Sequence, residues 1–456
     1  MVGPLMLFTS LNYFIFLALT VGFTFSLPTR ARVGFLAVAS YFFYAYWKPG
    51  YALVILALTI VNYGAALKIH VRGAWAAAVI ANLSAFFVFK YLGFFTQELN
   101  LILRWLYDGG EIPVLTLLLP LGISFHTLQA ISYVTDVKRG IFSAEKNFLR
   151  LALFIAWFPQ MIAGPIERAS TLLVQLKTIE RPTSNQVKLA GHLILIGLLK
   201  KILIADSLGV MIQPIYADPG AFPPWQVWLA VYGFGLQLYF DFSAYMGIAM
   251  GSSLLFGVTL SENFKDPFLA SSIPDFWRRW HISLTSWFFE YVYYPLVRRF
   301  PSGGGPYAAV VLVFALSGLW HGANWTFIIW GLLHGALYCL SILLPSWRSE
   351  SLFSVYARVA FTFSLVCLCW VMFRASSVNE AMDVYSRLLG IGKPSIESLW
   401  PEHFEKLVAA MLGMLTVTFL RQTNATSTPP WVYAIIVWLI LTLGNFDSDT
   451  FIYFQF

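Results

Sequence analysis

Charge is scarce in this sequence: only 11% of its 456 residues are Asp, Glu, Lys or Arg, against about a quarter in ordinary soluble domains. That deficit excludes a water-exposed globular surface over most of the chain. Cysteine is nearly absent as well. Cys339, Cys367 and Cys369 all sit in apolar runs without CxxC spacing, so neither a disulfide framework nor a thiolate metal site is expected. HExxH, GxSxG and Walker signatures are missing, and Gly233-Phe-Gly235 does not continue into a dinucleotide fingerprint. With no internal repeat and no Ser/Gly-rich linker, the chain reads as one domain over 1–456.

What is present is apolar length. Hydrophobic residues make up 59% of the chain, in runs near 5–27, 32–47, 51–67, 74–96, 113–135, 148–163, 187–205, 225–258, 281–297, 307–344, 355–373, 404–420 and 430–445. A helix needs roughly 20 residues to cross a bilayer, and in lipid each backbone polar group must bond within its own segment. A barrel would need alternating strands of about ten residues, and these runs do not alternate. The reading is an all-α polytopic membrane protein with roughly 11 spans and re-entrant pieces. The first run lacks a basic leader and a small-residue cleavage site, so it is expected to be a retained helix.

The net charge of +7 comes from basic pairs scattered between apolar runs, which is the pattern of membrane loops and not of a nucleic-acid surface. Arg30 and Arg32, then Lys68, His70 and Arg72, then Lys138, Arg139, Lys146 and Arg150 place loops one, three and five in the cytoplasm. The N-terminus is then outside, and the tail with Asp447 and Asp449 fits an outside location. From Ser376 to Leu389, Ser377 and Glu380 have capping-box spacing. Ala381, Val384, Tyr385 and Leu388 share a face opposite Asp383 and Arg387, which predicts an amphipathic helix at the membrane surface.

Polar residues inside apolar sequence are expensive and therefore functional suspects. His321 stands in Leu316-Ser-Gly-Leu-Trp-His-Gly-Ala-Asn-Trp-Thr-Phe. An imidazole with an ordinary pKa near 6.5 suits general-base work; a histidine bonded to a neighbouring helix is the other reading. Gly318 and Gly322, four apart, allow a neighbouring backbone to approach closely, and Asn324 and Trp325 are candidates to orient the ring or line a pocket. His281 follows Trp277-Arg278-Arg279-Trp280. Those residues read either as an interfacial anchor or as phosphate ligands for an acyl carrier. Asp241 and Lys90 keep a small-molecule or proton-coupled transporter open as a rival. Lys200 and Lys201 read as snorkelling side chains at a helix end.

Three blocks, Phe158-Pro-Gln-Met-Ile-Ala-Gly-Pro-Ile, Phe276-Trp-Arg-Arg-Trp-His-Ile-Ser-Leu and Gly318-Leu-Trp-His-Gly-Ala-Asn-Trp, resemble the membrane-bound O-acyltransferases. With Ser124-Phe-His-Thr-Leu-Gln-Ala-Ile-Ser-Tyr and Asp136-Val-Lys-Arg-Gly they are similar to the bacterial branch acting in alginate and peptidoglycan O-acetylation and teichoic-acid D-alanylation. Around Phe289-Glu290 and Val297-Arg-Arg the chain departs from the alginate-type pattern. The resemblance implies a ring of tilted helices about a central tunnel, with His321 as the catalytic histidine and His281 as a second site residue. Trp277, Arg278, Arg279, Trp320, Asn324 and Trp325 would line the donor path or tunnel. It implies acetyl-CoA or a related thioester as donor, no metal, a location in the bacterial inner membrane, and a separate extracytoplasmic SGNH-type esterase-like partner.

The last residues, Phe451-Ile-Tyr-Phe-Gln-Phe, resemble a C-terminal motif of this branch whose tyrosine is proposed to accept the acyl group. A phenol of pKa about 10 is close enough to a thiol near 8.5 that an acyl-Tyr453 ester keeps much of a thioester's transfer potential. An aromatic tail in the interfacial belt is the alternative.

Overall fold

The computed structural model describes residues 6–106, 111–115, 117–120, 122–343, 351–392, 404–421 and 428–446, and among them every regular element is helical. The all-α expectation holds. The chain forms two compact units, Met1–Ala190 with Ala249–Ser261, and Gly191–Ile248 with Glu262–Phe456.

In the first unit the opening helix, Leu11–Ser26, starts where the Ser10 side chain accepts the Tyr13 amide. Helices Thr29–Trp47 and Pro49–Leu67 follow, then Ala74–Lys90 and Leu92–Leu106, one apolar path bent by 65°. Asn62 and Asn82 are buried in this apolar setting, and each amide donates to the other's carbonyl oxygen at 3.2 and 3.0 Å. Deep between apolar helices these amides bond to each other, which pins the register. The helix Ile123–Lys138 is buried from Ile123 to Val137. Its Gln129 donates to the Phe154 carbonyl and accepts from Gln160, both at 2.7 Å. Two of the motif blocks read from the sequence are therefore bonded to one another.

The second unit contains the longest helix for most of its length, Pro224–Leu254. The apolar run 307–344 is two helices, Gly305–His321 and Trp325–Leu343. Pro49–Leu67, Trp325–Leu343 and Leu352–Arg374 are long and apolar enough to cross a bilayer, and the bent pair makes a fourth; Leu11–Ser26, Phe148–Met161, Gly305–His321 and Pro430–Leu443 are shorter apolar helices. By length alone the described residues fall short of the roughly 11 spans expected. The reason is local: π-helical turns at Leu199–Ala205 and Phe289–Tyr293, and the break after His321, divide runs that look continuous in sequence.

Two basic residues depart from the sequence reading. Lys201 does not snorkel. It is buried, its Nζ 2.6 Å from Asp206 Oδ1 and 3.0 Å from Asp241 Oδ1. It lies within the π-helical turn, whose wider winding changes the helical phase and leaves Lys200 partly exposed. Asp241, the pathway group of the transporter reading, is held in this ion pair. Arg387, expected on the outer face of the amphipathic helix, is buried, and its Nε donates to the Phe222 carbonyl at 2.7 Å. The helix itself, Val378–Leu388, forms as expected: Ser377 accepts the Glu380 amide at 3.2 Å, and the Glu380 carboxylate accepts the Ser376 amide at 2.9 Å.

Candidate active site

His321 is the last residue of the helix Gly305–His321. The chain turns there because Gly322 is extended, at φ −157° and ψ 150°, and because Asn324 starts the next helix, its Oδ1 accepting the Thr326 amide at 3.1 Å. The two helices then pack with almost no space between them. A Cβ on Gly318 would strike the Phe327 carbonyl oxygen, and one on Gly331 would strike that of Phe314. The close backbone approach expected from the glycine spacing holds at Gly318; at Gly322, which has left the helix, a Cβ would meet the Phe327 ring instead. Gly318→Val should therefore cost about 1–3 kcal/mol by overpacking, read as a lower midpoint of thermal unfolding in detergent; an unchanged midpoint would refute the contact.

His281 is one of two non-glycine residues at positive φ among those described, at φ 45° and ψ 52°. This left-handed conformation is worth about 1–3 kcal/mol of strain, and such residues cluster at functional sites. Asn263 helps hold it: its carbonyl accepts the Ile282 amide at 3.0 Å and its Oδ1 accepts the Ser283 amide at 2.8 Å. On the other side, the helix Ile273–Arg279 begins where Ser272 accepts the Asp275 amide at 3.3 Å. His281 thus joins two short helices, Ile273–Arg279 and Ile282–Phe288.

The two histidines meet. Their ring centroids are 6.4 Å apart, and their residues are 1% and 6% exposed for His281 and His321. Trp320 lies 5.0 Å from His321 and 6.3 Å from His281; Trp330 at 5.1 Å and Phe373 at 5.3 Å complete the cage round His321, and Phe242 stands 4.9 Å from His281. Beside this cage is a cavity of about 710 Å³. Its wall includes Ile282, next to His281, and Ser317, one helical turn before His321. Neither histidine lines it directly; Trp277 does, and it packs on Trp330 at 5.9 Å.

Of the six residues expected along the donor path or tunnel, Trp277 and Arg278 line this cavity. Arg278 is exposed and lies 3.6 Å from Asp275, which also takes Arg279 Nε at 3.1 Å. Trp277 and Trp280 are buried, so the interfacial-anchor reading of the tryptophans fails. They form an inner aromatic cluster in which Trp280 lies 5.6 Å from Phe276 and 4.9 Å from Trp370. Trp320 joins the cage, as described. Asn324 instead caps a helix and donates to the Ser376 carbonyl at 2.7 Å, and Trp325 is exposed. Tyr453 and the 451–456 motif lie outside the described residues.

Sequence reasoning missed Asn263 and His334. Asn263 follows a Ser-Glu pair in a polar stretch with no distinguishing pattern. His334 carried a usable signal, a lone imidazole in the apolar Trp325–Leu343 helix. The structure buries it completely, 5.0 Å from both Trp277 and Trp330.

Residues 142–379 match the MBOAT, membrane-bound O-acyltransferase, family. A probable alginate O-acetylase AlgI of Pseudomonas putida is 34% identical, over 97% of this chain and 98% of its own. A peptidoglycan O-acetyltransferase of Helicobacter pylori is 33% identical over 94% and 87%, and a teichoic acid D-alanyltransferase of Bacillus subtilis 29% identical over 56% and 68%. Both histidines lie inside the matched segment. The chain is a multi-pass membrane protein belonging to the membrane-bound O-acyltransferase family.

Proposed function

We propose that the chain takes an acetyl group from acetyl-CoA, or a related thioester, on the cytoplasmic side of the bacterial inner membrane and delivers it for O-acylation of an extracytoplasmic glycan of the alginate or peptidoglycan kind. The observation that carries this reading is the pair of buried histidines, 6.4 Å apart at two chain corners, one of them strained. The names of the relatives support a glycan as the final acceptor.

In this reading the helices form a ring about a tunnel, with N- and C-termini outside, and donor and acceptor reach His321 from opposite faces. The His321 imidazole takes the proton of an attacking hydroxyl as the oxygen bonds to the thioester carbonyl carbon. The carbon–sulfur bond then breaks, and the leaving thiolate recovers that proton. Arg278, at the cavity wall, pairs with the donor's phosphates. His281, fixed by its strained backbone and Asn263, orients the reacting groups. Tyr453 is the first acceptor, and an SGNH-type esterase-like partner moves the group from its phenol to the glycan.

The test is mass spectrometry of the C-terminal peptide after purified protein in proteoliposomes meets labelled acetyl-CoA. A label on Tyr453, chased when partner and glycan are added, supports the reading; free CoA with no labelled protein or glycan defeats it. Tyr453→Phe removes one hydroxyl and should lower glycan acetylation by at least about 100-fold, as expected for loss of a covalent relay. Wild-type acetylation in that variant would reduce the tail to an interfacial anchor.

A further inference from the structure

His334 is a buried titratable group for which the mechanism above has no use. It is 0% exposed, and both of its ring nitrogens lack a hydrogen-bond partner among the described residues. Two indole N–H groups beside it, those of Trp277 and Trp330, are likewise buried without a partner. Their ring centroids lie 5.0 Å from that of His334 and 5.9 Å from each other. Four polar nitrogens left unmatched at one spot are costly to bury, and native structures hold few such atoms without a reason.

The cluster also has a position. Trp277 lines the 710 Å³ cavity, as do Phe314, from the neighbouring helix Gly305–His321, and Tyr338, one turn along His334's own helix. On its other side Trp330 packs against His321 at 5.1 Å. The cluster thus reaches the cavity through Trp277 and the proposed reaction centre through Trp330.

We propose that His334, Trp277 and Trp330 form a subsite for a secondary amide of the acyl donor, the amide nearest the sulfur of a pantetheine thioester. The inference rests on the thioester-donor reading above and deepens it. A secondary amide offers one acceptor and one donor. The two indoles are donors only, and an imidazole in its neutral form offers one of each, so the indole N–H groups meet the amide oxygen while an imidazole nitrogen accepts the amide N–H. In pantetheine that amide is two methylene groups from the sulfur, and it would hold the thioester at the His321 end of the cavity.

The test measures binding of acetonyl-CoA, a thioether that cannot transfer its acyl-like group, to the purified full chain. A second ligand has the amide nearest the sulfur replaced by an ester, which loses the N–H and keeps a weaker carbonyl acceptor. Wild type should bind the amide ligand about tenfold tighter than the ester ligand, the effect of one matched hydrogen bond in a buried site. His334→Leu should lose that factor and bind both alike. Trp277→Phe removes an indole N–H together with part of the ring and should weaken both ligands by a similar factor, which keeps the proposal testable if His334→Leu does not fold. Wild-type affinity in His334→Leu together with a higher unfolding temperature overturns the subsite and leaves an unmatched core histidine. If wild type binds neither ligand, the donor reading falls and the subsite with it.

Discussion

Replacing His321 by alanine should abolish acyl transfer while leaving the protein folded in the membrane. General-base catalysis contributes on the order of 10²–10⁴-fold, and among the described residues the imidazole in ring contact with it, His281, is 6.4 Å away, centroid to centroid, on a separate chain corner. The fold should tolerate the change because His321 ends its helix, and the Gly318–Phe327 backbone contact that joins it to the next does not involve its side chain. The cage of Trp320, Trp330 and Phe373 remains packed on its other neighbours. The check is acetylation in membranes alongside the unfolding midpoint of the purified variant. Normal acetylation would remove His321 from the chemistry, and a collapsed midpoint would show that the ring is structural.

Lys201→Met should be the most damaging single change away from the site. It deletes a cation bonded to two buried carboxylates, Asp206 at 2.6 Å and Asp241 at 3.0 Å. Breaking a buried ion pair by removing one partner costs about 3–5 kcal/mol, because the remaining charge stays buried without compensation. A second substitution, Asp241→Asn, should recover part of the loss, since an amide is far cheaper to bury than a lone carboxylate. Asp241 neighbours Phe242, which packs on His281 at 4.9 Å, so the single variant should also lose activity. Thermal unfolding of the single and double variants decides the point; equal midpoints for Lys201→Met and wild type would mean the carboxylates find other partners.

Fold class was legible because apolar runs without alternation leave helix as the only continuous way to satisfy a backbone in lipid. The count of crossings was not, because helix ends are set by local geometry that hydropathy does not register. The run 307–344 is apolar throughout, yet Gly322 and the Asn324 cap divide it and put His321 at a corner. Lys201 was misread because a π-helical turn alters its phase, and Arg387 because a carbonyl distant in sequence, that of Phe222, receives it. The candidate site was legible as motifs but not as a site. Nothing in the spacing says that His281 and His321 face each other, or that Asn263 holds the former; those relations belong to tertiary packing. His334 was overlooked for the opposite reason, since a single imidazole in a long apolar helix looks like an isolated exception until its neighbours are known.

The seam between Gly305–His321 and Trp325–Leu343 has a mechanical consequence. Where backbone touches backbone, at Gly318 and Gly331, no side chain is available to change rotamer and absorb a shift. Sliding one helix along the other would drive carbonyl oxygens into Cα atoms. His321 and His334 therefore ride on a single hairpin that is expected to resist sliding of one helix along the other. An opening needed by the proposed donor is then expected in the elements that face this hairpin through side chains, foremost the short helices on either side of His281.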